Sequence, residues 1–438
     1  FLFLHFAILS IGAITIPLNP DYQPEEIRYF LTDSGSSLLV TTNPLYTKVQ
    51  AELQHLSALQ ILFKDNIPTA QIEGFIPDYD ASDDDIAMIC YTSGTTGRSK
   101  GAVISHRNLI ANMRSLHQVW KWSDRDILLH VLPLFHVHGL NVAALGCLYA
   151  GATMIMFEKF EPRRTWETLT SQNCTIFMAV PTIYQRLMNE WEKLEPKPNL
   201  QQMRLFVSGS APLSDLQFYQ FERLTGFRIL ERYGMTETGM NASNLIDPEH
   251  RKAKSVGFPL SGVEIRIVDT NGYDVESSEV GEVWIRGENV FQGYWQMHEK
   301  TAEAFVDGWF CTGDLGFQDP DDHNRLYLAG RAKELIITGG LNVYPKEIEN
   351  ILESHEAVKE SAIVGLPDQD FGEKVVAAIA IKDGMSITPE VLSDYCKNRL
   401  ARYKCPKQIF FVTELPRNAM GKIQKNILAQ QLLLSSQT

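Results

Sequence analysis

The sequence predicts an α/β protein: a large domain of parallel sheets covered by helices with a β-rich subdomain, then a smaller, mobile α+β domain at the C-terminal end. Three observations predict it. Apolar strand-like runs alternate with amphipathic helical ones over most of the first 260 residues. Between 263 and 286 the pattern shortens to alternating strands with polar turns (VEIRIVD, NGYD, GEVWIRG). Past Gly330 it changes again, into about a hundred residues with their own strands and helices.

The first eighteen residues, FLFLHFAILSIGAITIPL, are almost wholly apolar. No basic leader precedes them, and Gly12 and Pro17 interrupt them. A buried helix running into a short strand, Ala13-Ile14-Thr15-Ile16, is expected rather than a signal peptide or a membrane span. The chain opens without Met inside this apolar element, which reads as a fragment whose N-terminal part is missing. Strands are then expected at 37–41, 86–91, 127–132, 153–157, 175–179, 204–207 and 228–230. Between them, 109–119 and 213–224 carry helical spacing, which implies parallel strands joined by crossover helices. Beyond 330 the expected order is strand 334–338, helix 344–354, strands 358–365 and 374–381, helix 386–402 and strand 407–412. The expected division is therefore 1–330, a hinge at 331–334, and a mobile domain over 335–438.

The chain has 438 residues, with a formal net charge of −13. That charge argues against non-specific binding of nucleic acid or anionic lipid, while leaving room for a local basic channel. Six cysteines are scattered without CxxC or metal-ligand spacing, which suits a reducing, cytoplasmic setting and no disulfide framework.

The strongest local signal is YTSGTTGRSKG at 91–101. It follows a buried strand (IAMIC) and precedes a helix starting near Ser105. Thr92, Ser93, Gly94, Thr95, Thr96, Gly97 and Lys100 offer hydroxyls, close backbone approach and a cation, a combination that can hold a polyphosphate. The spacing is not that of a Walker A loop. Alone, such a stretch is equally a surface turn.

Further stretches follow in order: SGSAP at 208–212, ERYGMTET at 231–238, CTGD at 311–314, GRAK at 330–333, GGLNVYP at 339–345 and PRNAMGK at 416–422. With the 91–101 loop they resemble the signatures of the adenylate-forming superfamily of acyl-CoA synthetases, adenylation domains and luciferases, from residue 1 to about 430. The resemblance implies ATP, Mg²⁺ and coenzyme A as partners, with no nucleic acid and no membrane span. It implies an adenine site at Ser210, Ala211, Glu231, Arg232, Tyr233 and Gly234, and a ribose site at Asp314 and Arg331. Glu237 is a hard oxygen ligand suited to Mg²⁺, and Thr236 offers a hydroxyl to the α-phosphate. Lys422 is the expected catalytic lysine, a point charge for the developing anion. Lys333 is the expected hinge, and Gly339 with Gly340 would let a pantetheine arm pass close to the backbone.

Several stretches (LPLFHVHGLNVAALGCLYAGATMIMFEKF, ERYGMTETGMNASN, TGGLNVYPKEIE, LPRNAMGKIQKN) are most similar to malonyl-CoA synthetases. That similarity implies a small carboxylic acid, specifically a dicarboxylate, activated as its adenylate and passed to CoA. A distal carboxylate needs a cation or donor, for which His138 and Arg251 are the candidates, while His136 looks like the residue gating the acyl tunnel. Arg251 is equally a solvated loop charge beside Lys252 and Lys254, and His138 a packed core histidine. Alternatives are a ligase for oxalate or a short- or medium-chain fatty acid, a carrier-loading adenylation module, or a non-catalytic scaffold. No GxDSL-type serine site follows Lys422, and the intact motifs argue against a scaffold.

Overall fold

The computed structural model describes residues 1–67, 79–92, 99–418 and 421–435. Its largest sheet has 12 strands among the described residues. One half is parallel, in the spatial order Thr153–Met156, Ile127–His130, Ile176–Ala179, Leu205–Ser208 and Leu230–Met235. Ile176–Ala179 and Leu205–Ser208 are buried at every residue, hence their apolar sequences, broken only by Ser208. Helices cover both faces. On one side Trp166, Phe177, Tyr184, Phe206 and Phe221 interlock, with Phe206 and Phe221 centroids 5.0 Å apart.

The direction reverses after Leu230–Met235. Gly239–Ser243 folds back on it, and antiparallel strands continue through Ser255–Pro259, Arg325–Arg331, Trp309–Asp319, Gly281–Gly287 and Val263–Val268. The β-rich part expected as a subdomain is therefore the other half of one mixed sheet. Ile86–Thr92 also differs from expectation: it leaves the parallel sheet and pairs antiparallel with Lys100–Ser105, with Gly293–Tyr294 as third strand. The connection from Thr92 to Lys100 is too short for the crossover that a parallel pair needs.

The helix His106–Trp120 starts where expected, on a reciprocal cap. Ser105 Oγ accepts from the Asn108 amide at 3.2 Å, and Asn108 Oδ1 accepts from the Ser105 amide at 2.9 Å. At the other end of the sequence, the N-terminal expectation is only partly met. Leu2–Ser10 is a helix, but His5 is its one buried residue and Phe3 is 94% exposed. The expected strand is reduced to a single bridge between Thr15 and Met88.

The smaller domain is a sheet of Leu341–Val343, Ile336–Thr338, Gly372–Ile381 and Val358–Asp368, with Gln408–Phe411 beside Gly372–Ile381. Pro345–Glu353 and Pro389–Lys397 pack a core of Ile336, Ile348, Leu352, Ile363, Ile379 and Leu392 that draws on no residue before 336. All six cysteines are free thiols. Among the described residues, no helix is long and apolar enough to cross a membrane.

Candidate active site

The turning point of the sheet is where the site is built. Leu230–Met235 is the last parallel strand and the first antiparallel one, so its carboxyl end opens into a crevice between the two halves. Tyr233 on this strand donates to Asp314 Oδ2 at 2.5 Å, and Arg331 Nε meets Asp314 Oδ1 at 2.7 Å. Asp314 and Arg331 are register partners across adjacent strands, so backbone pairing sets their ion pair. Burial raises the Asp314 pKa, and Arg331 opposes that shift. The pair keeps the carboxylate oriented with acceptor sites still free for a diol.

The phosphate side lies one turn along. Ser93, Gly94, Thr95, Thr96 and Gly97 fall outside the described residues, but the two ends of their loop are fixed. Thr92 and Lys100 are register partners, and Thr92 Oγ1 donates to the Lys100 carbonyl at 3.4 Å. The Lys100 ammonium sits 4.0 Å from the centroid of the Tyr294 ring, whose hydroxyl donates to Glu237 Oε1 at 3.2 Å. Glu237 is 8% exposed, and burial raises its pKa. A buried carboxylate with one oxygen held and a lysine near suits a cation that also takes phosphate oxygens. No group of three or more His, Cys, Asp or Glu that could hold a metal occurs among the described residues. Thr236 and Glu237 line a cavity of about 10 Å³ with Asn112, Asn141 and Asn289.

The buried His138 and the half-buried His136 both lie close enough to the buried Arg232 to feel its charge. His138 begins a π-helical stretch, His138–Leu145, is 2% exposed, and has its Nδ1 3.1 Å from Ser210 Oγ. His136 Nδ1 accepts from the His138 amide at 3.3 Å. Burial holds both rings neutral, His136 at about 4, and the charge of Arg232 adds to the effect at each. Ser210 has a left-handed φ of 69°, while Ala211 beside it is exposed.

Arg232 itself was expected on the adenine side. Side chains alternate along a strand, so it projects away from its neighbours Glu231 and Tyr233. It is 4% exposed, and its Nε and Nη2 have no hydrogen-bond partner. Burial lowers its pKa to about 9. A Cβ at Gly209 would lie 2.3 Å from the Arg232 Cζ, so a larger residue there would displace the guanidinium from its present place. Glu231 accepts from the Leu213 amide at 2.8 Å, and burial raises it to about 8. Gly234 follows on the same strand.

Arg251 is the clear departure from expectation. It is neither a solvated loop charge nor a free cation for substrate. At 5% exposure it donates through Nε to the Leu245 carbonyl at 3.0 Å, through Nη1 to the Arg228 carbonyl at 2.5 Å, and through Nη2 to the Ile246 carbonyl. Three backbone acceptors engage all three nitrogens of the guanidinium, so Arg251 braces the 245–251 turn. Sequence spacing could not distinguish the two arginines, because what separates them is which carbonyls lie in reach. Tyr294 was missed altogether, since the two-residue strand Gly293–Tyr294 gives no periodic signal.

The smaller domain delivers Lys422 into this crevice. Burial and Arg331 lower its pKa, against the pull of Asp314 and Glu237; it senses Arg232 as well. Its loop is pinned: Lys422 and Asn418 exchange bonds at 2.9 and 3.0 Å, and Arg417 donates to the Gly421 carbonyl at 2.7 Å. Three residues on, Lys425 bridges Glu349 at 2.7 Å and Glu334 at 2.8 Å. Lys333 lies on the 3₁₀ turn Ala332–Glu334, and its charge is felt at Lys100. Gly339 and Gly340, with φ of 57° and 78°, form the exposed turn between Ile336–Thr338 and Leu341–Val343.

Comparison with known proteins gives the family. Residues 1–295 match the model of the AMP-binding enzyme family, and 347–422 match the AMP-binding enzyme C-terminal domain. The chain belongs to the AMP-binding enzyme family. It is 37% identical to the mitochondrial malonate–CoA ligase of Mus musculus, over 97% of this chain and 79% of that protein. It is 34% identical to the oxalate–CoA ligase of Arabidopsis thaliana, over 99% and 86%. Among solved structures of this family, ATP-bound MatB from Rhodopseudomonas palustris superposes with a TM-score of 0.90 at 39% identity, covering 98% of this chain and 85% of that one.

Proposed function

We propose that this chain is an AMP-forming malonate–CoA ligase, using ATP and CoA and passing through a malonyl-adenylate. The observation that carries the choice of acid is the buried Arg232 guanidinium, whose Nε and Nη2 lack hydrogen-bond partners, close to the His138–Ser210 pair. A buried cation without a partner is costly, and a fatty-acid pocket would have no use for one. A second carboxylate would complete it through two parallel hydrogen bonds. The Ser210 hydroxyl and a neutral His138 supply further polar contacts. Arg232 thus takes the role expected of Arg251, and His138 keeps its own.

In this reading Asp314, Arg331 and Tyr233 hold the ribose, while Glu231, Ala211 and Gly234 flank the adenine. Lys100, Thr92 and the intervening loop hold the phosphates. Glu237 would bind Mg²⁺, which neutralises phosphate charge when present, and Thr236 addresses the α-phosphate. The reacting carboxylate oxygen forms its bond to the α-phosphorus as the bond to pyrophosphate breaks. Lys422 lies where charge develops between the two anions, and its contribution is electrostatic and positional. The smaller domain then turns about Lys333 in the 331–334 hinge, removing Lys422 and bringing Gly339 and Gly340 to the CoA side. The CoA sulfur attacks the acyl carbon, AMP leaves, and the thiol proton passes to solvent or base. His136 gates the acyl entrance. Six free thiols fit a reducing compartment such as the cytoplasm.

The test is pyrophosphate release with malonate, methylmalonate, oxalate, propionate and octanoate at equal concentration. Malonate is expected to give the highest kcat/KM, with methylmalonate next and octanoate inactive. Preference for propionate or octanoate over malonate would overturn the dicarboxylate reading. Preference for oxalate would keep the cation and change the length of the acid.

A further inference from the structure

We propose that Tyr294 is a positioning residue of the phosphate site: its hydroxyl orients Glu237 for the divalent cation, and its ring face parks the Lys100 ammonium until the triphosphate arrives. The proposal rests on the nucleotide-site reading above and adds a residue outside the stretches singled out in the sequence.

Lys100 and Glu237 have opposite charges and face the same space. Left to themselves, an ammonium and a partly buried carboxylate would close into a direct ion pair, which ATP would then have to break. The Tyr294 ring stands between them. Its face takes the ammonium at 4.0 Å, within cation–π range, and its hydroxyl takes one carboxylate oxygen at 3.2 Å. The phenol is 9% exposed, and burial together with Glu237 pushes its pKa up. It therefore stays a neutral donor. The hydroxyl engages Oε1 alone, and Lys100 is held by a weak contact that phosphate can outcompete.

The ring is also held in place by independent contacts. Tyr294 pairs with Ala102, two residues from Lys100, and its amide donates to Thr301 Oγ1 at 2.9 Å. The flanking Gln292 and Trp295 amides donate to the Val103 and Gly101 carbonyls at 3.0 and 2.7 Å. Phe291 meets the ring edge-on with centroids 4.9 Å apart. A side chain stitched to the lysine's own strand and hydrogen-bonded to the metal ligand sets the separation of the two charges.

The experiment measures ATP binding by calorimetry on the whole chain, with and without Mg²⁺ and with no acid or CoA present. Tyr294→Phe keeps the ring and loses the hydroxyl; Tyr294→Leu loses both. For Tyr294→Phe, the Mg²⁺-dependent gain in ATP affinity should shrink about 10-fold, the lower end for a hydrogen bond to a charged group. ATP affinity without Mg²⁺ should stay unchanged. Tyr294→Leu should lose the same gain and also bind Mg²⁺-free ATP several-fold more weakly, because Lys100 is then captured by Glu237. An unaltered Mg²⁺ gain in Tyr294→Phe would overturn the proposal. So would an intact gain in both variants accompanied by a lowered Tm, which would make Tyr294 a packing residue. Glu237→Gln is the control. If it keeps the full Mg²⁺ gain, the nucleotide-site reading fails instead.

Discussion

Replacing Arg232 by Met tests the choice of acid most directly, because Met fills the space without the charge. In the structure Arg232 is 4% exposed with Nε and Nη2 unpartnered, so those two nitrogens have no hydrogen bond to give up when a carboxylate arrives. A charge-assisted, bidentate contact in such a pocket typically carries about 2–5 kcal/mol. That corresponds to roughly 30-fold to several thousand-fold in kcat/KM. For malonate, kcat/KM measured by pyrophosphate release should therefore fall by at least about 30-fold. Propionate, which has the malonate skeleton without the second charge, should be unchanged or improved. Arg251→Ala is the contrast. Its three carbonyl partners would be stranded, so both substrates should fall together with a lowered Tm. Equal loss of malonate and propionate in Arg232→Met, with the fold intact, would refute the reasoning and make Arg232 a structural cation.

Lys422→Ala should abolish adenylate formation while largely sparing thioester formation from pre-made malonyl-adenylate, measured as separate half-reactions, because Lys422 serves the first conformation only. Equal loss of both would contradict that division. The Lys425 bridge gives a stability prediction. Burial alone would raise the Glu349 pKa, but Lys425 and Lys346 outweigh it and hold it below the usual glutamate value. A depressed folded pKa stabilises above the unfolded value of about 4.3 and is lost as pH falls through the lower folded value. At neutral pH Lys425→Met should cost about 3 kcal/mol by leaving Glu349 buried without its near partner. Chemical denaturation should show that deficit narrowing below pH 4, and Glu349→Gln should restore part of it. A deficit independent of pH would mean that packing, not charge, is lost.

The motif skeleton was legible in the sequence because its constraints are local. YGMTET needs a strand end, the Ser105 cap needs Asn108 three residues on, and the strand at 175–179 needs unbroken apolar residues because both its faces are covered. What could not be read depends on pairing across the chain. The antiparallel half looked like a subdomain because nothing in VEIRIVD says that it continues the sheet of LERYGM. Tyr294 is invisible for the same reason: its neighbours in space are 194 and 57 positions away, at Lys100 and Glu237.

The exchange of roles between the two arginines follows the same physics. Both are buried. A guanidinium in a low-dielectric site must find acceptors, and the backbone around 245–251 offers three that are already in place. Around Arg232 the strand's own carbonyls are committed to the sheet, and Gly209 leaves space where another residue would fill it. The cation whose demand the fold leaves unmet is the one available to a ligand. Substrate preference in this pocket is therefore written in what the backbone fails to satisfy, and a search for the acid's partner should begin with buried cations whose donors remain free.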